Sequence, residues 1–429
     1  GLVPALRAGR SDVQGALKEG GRGPTAGAAR QRGRHLLVVG ETALTLMLLL
    51  GAGLLVRSFA NLRSVNAGFR AEQVLTARVT LPDAGYPTPR QITRFYQQLV
   101  PRLASLPGVS AAGAVSFLPL ATTLGDLGMH IQGRPVPKGD VSPRGYWEVV
   151  TPGYFRALGI PVLRGRGIDA TDDERAPGAV VINQAMAQLY WPGESAIGQR
   201  FELGGGAGPG WVTVVGIVRD VRHASLQAAP QPQMYLPHAQ FRMWDSHAAV
   251  GGMTLVLRTT GDPAQLAAAV RREVRALDRN VPVSDVRTMD QVVSSSIARP
   301  RFMTVLISLF SGVALALASV GLYAVMTYAV SRRTHEIGIR MALGARESEV
   351  ARMVVAQGLA LALAGIVIGL VGGVALHRLM ESFLFNVSAT DPITLIGVSV
   401  LLAAVACIAC YMPARRAMRV DPVIALREE

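Results

Sequence analysis

Two long apolar runs, residues 302–330 and 353–376, set the strongest constraint on how this chain can fold. A helix needs about 20 apolar residues to cross a bilayer, and each run meets that length. The basic segment between them, residues 331–352, must therefore lie at a membrane surface. Its five arginines predict that this surface is cytoplasmic, because short loops rich in Lys and Arg stay on that side.

Two further apolar runs predict two more transmembrane helices. With four crossings both termini lie in the cytoplasm, and one large insertion lies on the opposite side of the membrane. The predicted segments are a cytoplasmic N-terminal segment (1–35), transmembrane helices (36–57, 302–330, 353–376 and 393–412), an extracytoplasmic domain (58–301), a cytoplasmic coupling segment (331–352), a short extracytoplasmic loop (377–392) and a cytoplasmic tail (413–429).

The insertion contains two βαβ-like patterns, one within residues 70–117 and the other within residues 253–290. Each pattern places an amphipathic helix between two strand-like stretches, at residues 89–105 and 263–277. Paired into one sheet, the two units predict a ferredoxin-like or porter-like arrangement. The stretch between them, residues 118–252, reads as a β-rich insert.

The predicted fold class is therefore an α-helical integral membrane protein with four transmembrane helices and a large extracytoplasmic α+β domain. At the edges of that domain we expect the membrane helices to continue past the bilayer. Phe59 and Leu62 support this continuation after the first crossing, and Val292, Val293 and Ile297 support it before the second.

The formal net charge of +14 raises the question of nucleic-acid binding. Nucleic-acid binders gather Lys and Arg on one folded face or in a recognised motif. Here the arginines crowd the ends of the apolar runs, which is typical of membrane topology. We therefore expect the lipid bilayer, and no nucleic acid, as a partner.

Side chains that could perform catalysis or bind a metal form no recognised pattern. His335 and Glu336 begin like a zinc-protease motif, but Ile339 occupies the position of the second histidine. The glycine-rich stretch 204–210 lacks the Lys-Ser/Thr pair of a phosphate-binding loop. Four polar residues show no acid–base or nucleophile spacing, and we expect ordinary roles for them: Tyr154, Asp220, His223 and His238. The sequence predicts no enzyme activity, no cofactor and no metal.

Three glycines in the third apolar run, Gly365, Gly369 and Gly373, recur at every fourth position. This spacing favours close helix packing. Because glycine is common in membrane helices, the spacing does not by itself identify a dimer face.

Glu41 is the charged residue within the first apolar run. Ionisable groups inside a membrane are functional candidates. Arg34 and His35 lie only about two helical turns away, so a snorkelling or locally paired carboxylate is an equal alternative.

The basic segment also carries apolar side chains that a water-facing loop does not need: Ile337, Ile339, Met341 and Leu343. An apolar and cationic helix at the inner face could be a docking site for a soluble cytoplasmic partner. It could equally be a helix that lies in the lipid headgroups. Composition leaves both interpretations open.

A short pattern recurs at the two ends of the chain. Residues 4–8 read Pro-Ala-x-Arg-Ala, and residues 413–417 repeat this pattern, with further matches at identical spacing downstream. The second copy directly follows an apolar run. We infer that the first copy once did so too, which predicts that this chain is the second half of a duplicated membrane protein.

The segment from His335 to Ala345, His-Glu-Ile-Gly-Ile-Arg-Met-Ala-Leu-Gly-Ala, resembles the signature of FtsX-like permeases. These are the membrane components of MacB-type ABC systems. The insertion, with Thr-Pro-Gly-Tyr-Phe at residues 151–155, looks like their MacB-type periplasmic core domain. The duplicated Pro-Ala-x-Arg-Ala pattern resembles the duplicated branch of these permeases, known as ADOP. The resemblance covers nearly the whole chain.

The resemblance implies an ABC transporter permease subunit in a bacterial inner membrane, with its large domain in the periplasm. It implies a cytoplasmic ABC-type ATPase and a second permease half, or a homodimer, as partners. It also implies mechanotransmission, in which ATP binding moves the external domain for export or extraction of substrate. The residues that would couple to the ATPase are Glu336, Ile337, Gly338, Ile339, Arg340, Met341, Ala342, Leu343, Gly344 and Ala345. The alternative is a membrane-anchored binding or scaffold protein that ATP does not drive.

Overall fold

The computed structural model describes ten stretches of the chain: residues 24–122, 125–135, 142–204, 210–241, 250–333, 337, 339–340, 346–375, 384–388 and 390–417. The chain divides into two compact units. The strand-rich unit is Leu62–Arg301, and the helical unit comprises Gly1–Asn61 with Phe302–Glu429.

The described elements follow one another along the chain in an order that places all strands between the first and the last three long helices. They are α1 (Pro24–Arg63), β1 (Val74–Thr80), α2 (Pro89–Ala104), β2 (Val109–Val115), β3 (Asp126–Ile131), β4 (Arg144–Val150), α3 (Tyr154–Leu158), β5 (Val162–Gly165), β6 (Ala179–Asn183), α4 (Gln184–Tyr190), β7 (Arg200–Leu203), β8 (Trp211–Val218), β9 (Gln233–Pro237), β10 (Gly252–Thr259), α5 (Leu266–Leu277), β11 (Val283–Thr288), α6 (Met289–Ser296), α7 (Ala298–Arg332), α8 (Glu347–Ala375) and α9 (Pro392–Ala417).

One half of the strand-rich unit is a four-stranded antiparallel sheet in the order β11-β1-β10-β2. Helices α2 and α5 pack against each other beside it. Helix α2 begins with a capping box between Thr88 and Gln91, and its buried residues recur at helical spacing, from Ile92 to Leu103. This half has the porter-like arrangement of two βαβ units that the sequence predicts.

The other half is a ring of six strands, which closes in the order β4-β3-β7-β8-β6-β9 and returns to β4. Strand β5 adds to the outside of the ring by pairing with β8. Strands β2 and β4 join the four-stranded sheet to the ring where Val115 pairs with Val150, and the backbone bonds Ser116 to Val149 and Thr151 to Ala114 flank this pair. Closure satisfies the backbone groups of strands that would otherwise be exposed edges.

The helical unit contains four helices long and apolar enough to cross a membrane, among the described residues: Arg32–Arg63, Ala298–Arg332, Ser348–Ala375 and Pro392–Arg416. Leu46, Leu50, Ile366 and Leu402 form one buried cluster between them. Large apolar side chains also point outward, as expected of helices that face lipid. The predicted class, four membrane helices with a strand-rich α+β domain, is confirmed.

The predicted helix continuation before the second crossing is wrong. Val292 and Val293 lie on the separate short helix α6, which ends before Ile297. Ile297 has φ −102° and ψ 7°, which lies outside the helical range, and α7 begins at the next residue. The helix is thus interrupted between α6 and α7, whereas α1 is helical through Leu62 to Arg63.

Candidate coupling site in the helical unit

Ile337 anchors the basic segment to the membrane helices. Its side chain is only 2% exposed and packs against Val350 of α8 and Val330 of α7. Its backbone N–H donates to the carbonyl of Arg333, 2.8 Å away, so the chain is helical at this point. The basic segment is therefore fixed to the ends of two helices at once.

Two residues of the same segment face outward. Ile339 is 40% exposed, which is high for a large apolar side chain. Arg340 is also exposed, and its guanidinium donates to the Sδ atom of Met353 at 3.2 Å. The described part of the segment thus has an anchored apolar side and an outward side that combines an apolar residue with a cation.

The remaining residues assigned to ATPase coupling lie outside the described residues: Glu336, Gly338, Met341, Ala342, Leu343, Gly344 and Ala345. Their role stays a prediction.

The glycine stripe of α8 lies against α1. A Cβ atom at Gly365 would lie 2.6 Å from Cβ of Thr42, and one at Gly369 would lie 2.8 Å from the carbonyl oxygen of Ala43. At Gly373 the nearest atom would be Cδ1 of Leu50, 2.9 Å away. Because real Cβ atoms do not approach other heavy atoms this closely, glycine permits the contact between the two helices.

Glu41 contacts helix α7. Its Oε2 atom lies 2.6 Å from where a Cβ atom of Gly321 would stand. Among the described residues no ion pair forms between Glu41 and Arg34 or His35. Arg34 instead lies over the ring of Tyr328, with its Cζ atom 4.1 Å from the ring centroid.

Sequence reasoning missed a polar link between α1 and the start of α9. Arg57 pairs with Asp391, whose side chain also accepts from the backbone N–H of Thr394 at 2.9 Å and from its hydroxyl at 2.7 Å. Asp391 is therefore the N-cap of α9. The signal was present in the sequence, because Asp391 directly precedes Pro392 at the favoured first helical position.

Hydroxyl groups make a second set of contacts between α1 and α7. The Ser311 hydroxyl donates to the carbonyl of Leu48 at 2.8 Å, and the Thr45 hydroxyl donates to that of Ala314 at 3.4 Å. Such bonds between helices are worth up to about 2 kcal/mol in a membrane.

The strand-rich unit contains a buried polar cluster around Glu148, which is fully buried on β4. Nδ1 of His223 lies 2.8 Å from its Oε1 atom, although neither atom has an aligned hydrogen bond. Nε2 of His223 lies 2.9 Å from the carbonyl of Thr122. Burial raises the pKa of the Glu148 carboxyl, and the nearby His223 opposes that rise.

Tyr154 and Tyr235 complete this cluster. Burial raises the pKa of both hydroxyls well above the usual range, and the charge of Glu148 adds to the effect. Tyr235 is the direct cross-strand neighbour of Glu148 in the parallel pair of β4 and β9. Tyr154 and His223 are both buried near Glu148, and nothing in their sequence spacing predicts that they belong to one cluster. His238 lies elsewhere, with its ring edge-on to Tyr96.

No group of His, Cys, Asp and Glu that could hold a metal ion exists within the described stretches.

Cys410, one of two free cysteines, packs where a Cβ atom at Gly358 would lie 2.2 Å from its Sγ atom. Because Gly358 has no side chain, α8 and α9 can approach each other closely at this point.

Two protein families match this chain. Residues 36–273 match the MacB-like periplasmic core domain, and residues 308–422 match the FtsX-like permease C-terminal domain. The first match covers more than half of the chain.

Curated relatives are similar over a shared region. The macrolide export ATP-binding/permease protein MacB 1 of Yersinia pestis is 26% identical over 288 residues, which is 64% of this chain and 42% of that protein. The probable syringafactin export ATP-binding/permease protein SyfD of Pseudomonas syringae is 26% identical over 293 residues, 64% of this chain and 41% of that protein. The chain spans about two fifths of the length of these relatives.

Solved structures also resemble it. The periplasmic region of MacB from Actinobacillus actinomycetemcomitans aligns with a TM-score of 0.34 and 12% identity, over 56% of this chain and 97% of that structure. The extracellular domain of YknZ, a noncanonic ABC-type transporter from Gram-positive bacteria, aligns with a TM-score of 0.31 and 15% identity, over 49% of this chain and 100% of that structure.

The MacB-like match precedes the FtsX-like match along the chain, and the last three membrane helices follow the strand-rich unit. This chain therefore belongs to the family of ABC transporter permeases built from a MacB-like periplasmic core domain and an FtsX-like C-terminal domain.

Proposed function

We propose that this chain is a permease subunit through which a cytoplasmic ABC-type ATPase moves the strand-rich unit on the other side of a bacterial inner membrane. ATP binding and hydrolysis would drive export or extraction of a substrate. The names of the curated relatives support this proposal, because they describe proteins that combine ATP binding with a permease. In this proposal a cytoplasmic ABC-type ATPase performs the hydrolysis, and the chain transmits the movement.

The observation that carries the proposal is the two-sided coupling segment. Ile337 is buried against Val330 and Val350, so a force on the segment acts on α7 and α8 together. Ile339 and Arg340 lie on the outward side, where a partner could bind them. Apolar side chains form the core of protein–protein interfaces, and arginine is enriched in them.

Helix α7 supplies a rigid path for the movement. It is continuous for 35 residues, from Ala298 to Arg332, which corresponds to about 50 Å along its axis. Its last residue, Arg332, precedes Ile337 by five positions, and its first four residues belong to the strand-rich unit. A displacement at the coupling segment would therefore act along one unbroken helix.

Ile339→Asp tests the contact with the ATPase, with Ile339→Leu as the matched control. A photo-crosslinking residue at position 339 of the full chain, in native membranes, should capture a cytoplasmic ATP-binding protein that mass spectrometry identifies. The Asp variant should lower co-purification of that protein by roughly tenfold or more, since burying a charge in the interface is unfavourable. The Leu variant should retain it.

Ile337→Asp serves as a separate probe of the anchor. We expect it to weaken the attachment of the segment to α7 and α8, so it should uncouple ATP hydrolysis from movement and also lower thermal stability. Unchanged ATPase capture by Ile339→Asp would contradict the proposed docking side.

A cavity in the strand-rich unit favours the alternative of a binding or scaffold protein. It measures about 300 Å³ and is bordered by Tyr96, Val100 and Ile168, with Thr151 and His238 as polar neighbours. A cavity of this size can take a small apolar ligand. Ligand binding there that does not respond to ATP, together with no captured ATPase, would favour the scaffold over the transporter.

A further inference from the structure

A small basic cavity lies where α1 and α7 meet, close to the coupling segment. Its volume is about 200 Å³, and its polar wall consists of Arg34 and His35 from α1 and Tyr328, Arg332 and Arg333 from the end of α7. Cζ of Arg34 lies 4.1 Å from the Tyr328 ring centroid, and Cζ of Arg332 lies 5.6 Å from it. One aromatic ring therefore holds two cations that come from different helices.

Among the residues that the structure describes, the charges around this cavity are unbalanced. Within the described stretches, the ion pairs do not include Arg34, Arg332 or Arg333. Arg333 reaches a neutral partner, Oε1 of Gln357, at 3.5 Å. Cations held this close repel one another, and an anion between them would remove that cost.

An apolar groove lies along the same two helices, and its lining begins at Leu36, the residue directly after His35 of the cavity. It measures about 590 Å³ and is lined by Leu37, Leu44 and Leu48 of α1 and by Leu317 of α7. Along α1, Leu37, Leu44 and Leu48 follow Arg34 by three, ten and fourteen residues, so they lie on its side of the helix. Leu37 is 73% exposed, and an apolar surface of this kind inside a membrane is covered by lipid.

We propose that α1 and α7 together form a site for an anionic phospholipid. The phosphodiester group lies in the basic cavity between Arg34 and Arg332, and one acyl chain lies in the leucine groove. A guanidinium matches a phosphate by paired N–H donors, and basic pockets between helices at the cytoplasmic face suit such headgroups. The cavity supplies the charge, and the groove supplies the apolar surface that a free anion would not use.

Two neighbouring features do not explain the arrangement of this cavity. Arg332 and Arg333 at the end of α7 also offset the negative end of the helix dipole, but this does not account for Arg34 stacking from α1 on the same ring. Glu41 borders the groove, yet its carboxylate lies against Gly321 and balances one of three arginine charges at most.

The test measures lipid retention by the full chain. The protein is reconstituted in phosphatidylcholine nanodiscs that contain phosphatidylglycerol, transferred to detergent, and analysed by native mass spectrometry for bound phosphatidylglycerol. The double variant Arg34→Gln with Arg332→Gln should bind it roughly tenfold or more weakly. The control, Arg415→Gln with Arg416→Gln, changes two exposed arginines in the last turn of α9 and should retain it.

Three further measurements distinguish a lipid from free phosphate and control for misfolding of the double variant. Inorganic phosphate should not raise the melting temperature in detergent, whereas phosphatidylglycerol should; equal stabilisation by phosphate would overturn the lipid assignment. Arg332→Gln alone, at an exposed position, should weaken retention in the same direction if the double variant does not fold. Glu41→Gln should retain phosphatidylglycerol at least as well as the parent chain, because it removes a negative charge.

Equal retention of phosphatidylglycerol by the parent chain and the double variant would overturn the site, as would an equal loss in the α9 control. The measurement contains no ATPase. Its failure would therefore leave the proposed coupling function untouched, and a failure of ATPase capture would leave the lipid site untouched.

Discussion

His223 places its Nδ1 atom 2.8 Å from Oε1 of Glu148, in the interior of the strand-rich unit. Glu148 lies on β4 and His223 in the segment after β8, and the buried side chains near Glu148 include Tyr154, Tyr235 and the amide of Gln233. This is a costly arrangement for a carboxyl group, because burial opposes its charged form.

The buried carboxyl predicts a pH-dependent stability. Because the pKa of Glu148 is raised in the folded state, its contribution is fully present below its ordinary value of 4.5 and is lost as pH rises through the folded value. Glu148→Gln, which cannot ionise, should flatten that slope. The total change in unfolding free energy over this pH range corresponds to about 1.4 kcal/mol for each unit by which the folded and unfolded pKa values differ.

Tryptophan fluorescence can measure this effect, since all four tryptophans lie in the strand-rich unit. Urea unfolding of the full chain in detergent would be followed between acidic and neutral pH for the parent and for Glu148→Gln. An identical pH slope in both proteins would show that other groups control it.

A second prediction concerns the contact between α8 and α1. Gly369→Ala places a Cβ atom 2.8 Å from the carbonyl oxygen of Ala43, which is backbone and cannot move aside cheaply. We expect a loss of about 1–3 kcal/mol from overpacking, seen as a lower melting temperature in detergent. Gly397→Ala in α9 is the matched control, because no atom lies within 4 Å of its added Cβ. Equal melting temperatures would contradict the close approach.

The helices and the first half of the strand-rich unit could be predicted because their signals are local. An apolar run of membrane length is visible without any partner, and α2 shows its buried face through spacing and its start through Thr88. The porter-like sheet followed from two such helices between strands.

The six-stranded ring could not be predicted in the same way. Its strand β7 and the outer strand β5 have four residues each, and the parallel pairing of β4 with β9 joins distant parts of the sequence. Strand β9 is buried along its whole length, so it lacks the alternation that marks a half-buried strand. The break at Ile297 has a signal in Pro300, which cannot donate a backbone hydrogen bond to the carbonyl of Ser296 and is tolerated in the first turn of a new helix, and the prediction did not use it.

The coupling segment shows the same limit at the candidate site. Ile337 and Ile339 are equivalent by composition, and the sequence marked both as candidate contacts for a partner. Only the packing of Val350 on the next helix distinguishes them, since it buries Ile337 and leaves Ile339 exposed. The spacing of apolar residues within one segment does not predict a contact with Val350, which lies on the next helix.

A third prediction tests the α9 cap. Asp391→Ala removes the acceptor for the Thr394 backbone N–H and should cost about 1 kcal/mol. Arg57→Gln removes the ion pair alone and should cost less, because the Arg57 side chain is 40% exposed and solvent screens it. Thermal unfolding in detergent would rank the two variants. A larger effect of Arg57→Gln would mean that the ion pair, and not the cap, holds the start of α9.

A fourth prediction concerns the contact between β2 and α3 in the strand-rich unit. A Cβ atom at Gly113 would lie 2.5 Å from the backbone nitrogen of Tyr154 and 2.6 Å from its Cα atom. Neither atom can move without shifting α3, so Gly113→Ala should lower the free energy of unfolding by about 2–3 kcal/mol. Gly128→Ala in β3 is the matched control, because its nearest neighbour is the flexible end of Arg144 at 4.0 Å.

Tryptophan fluorescence during urea unfolding reports this change, since Trp147 and Trp191 are both buried in the same unit. The Gly113 variant should unfold at a lower urea concentration with an unchanged slope, because the surface exposed on unfolding stays the same. If the two variants unfolded together, the backbone of α3 would have to yield to an added methyl group. The close contact between β2 and α3 would then contribute little to the stability of the fold.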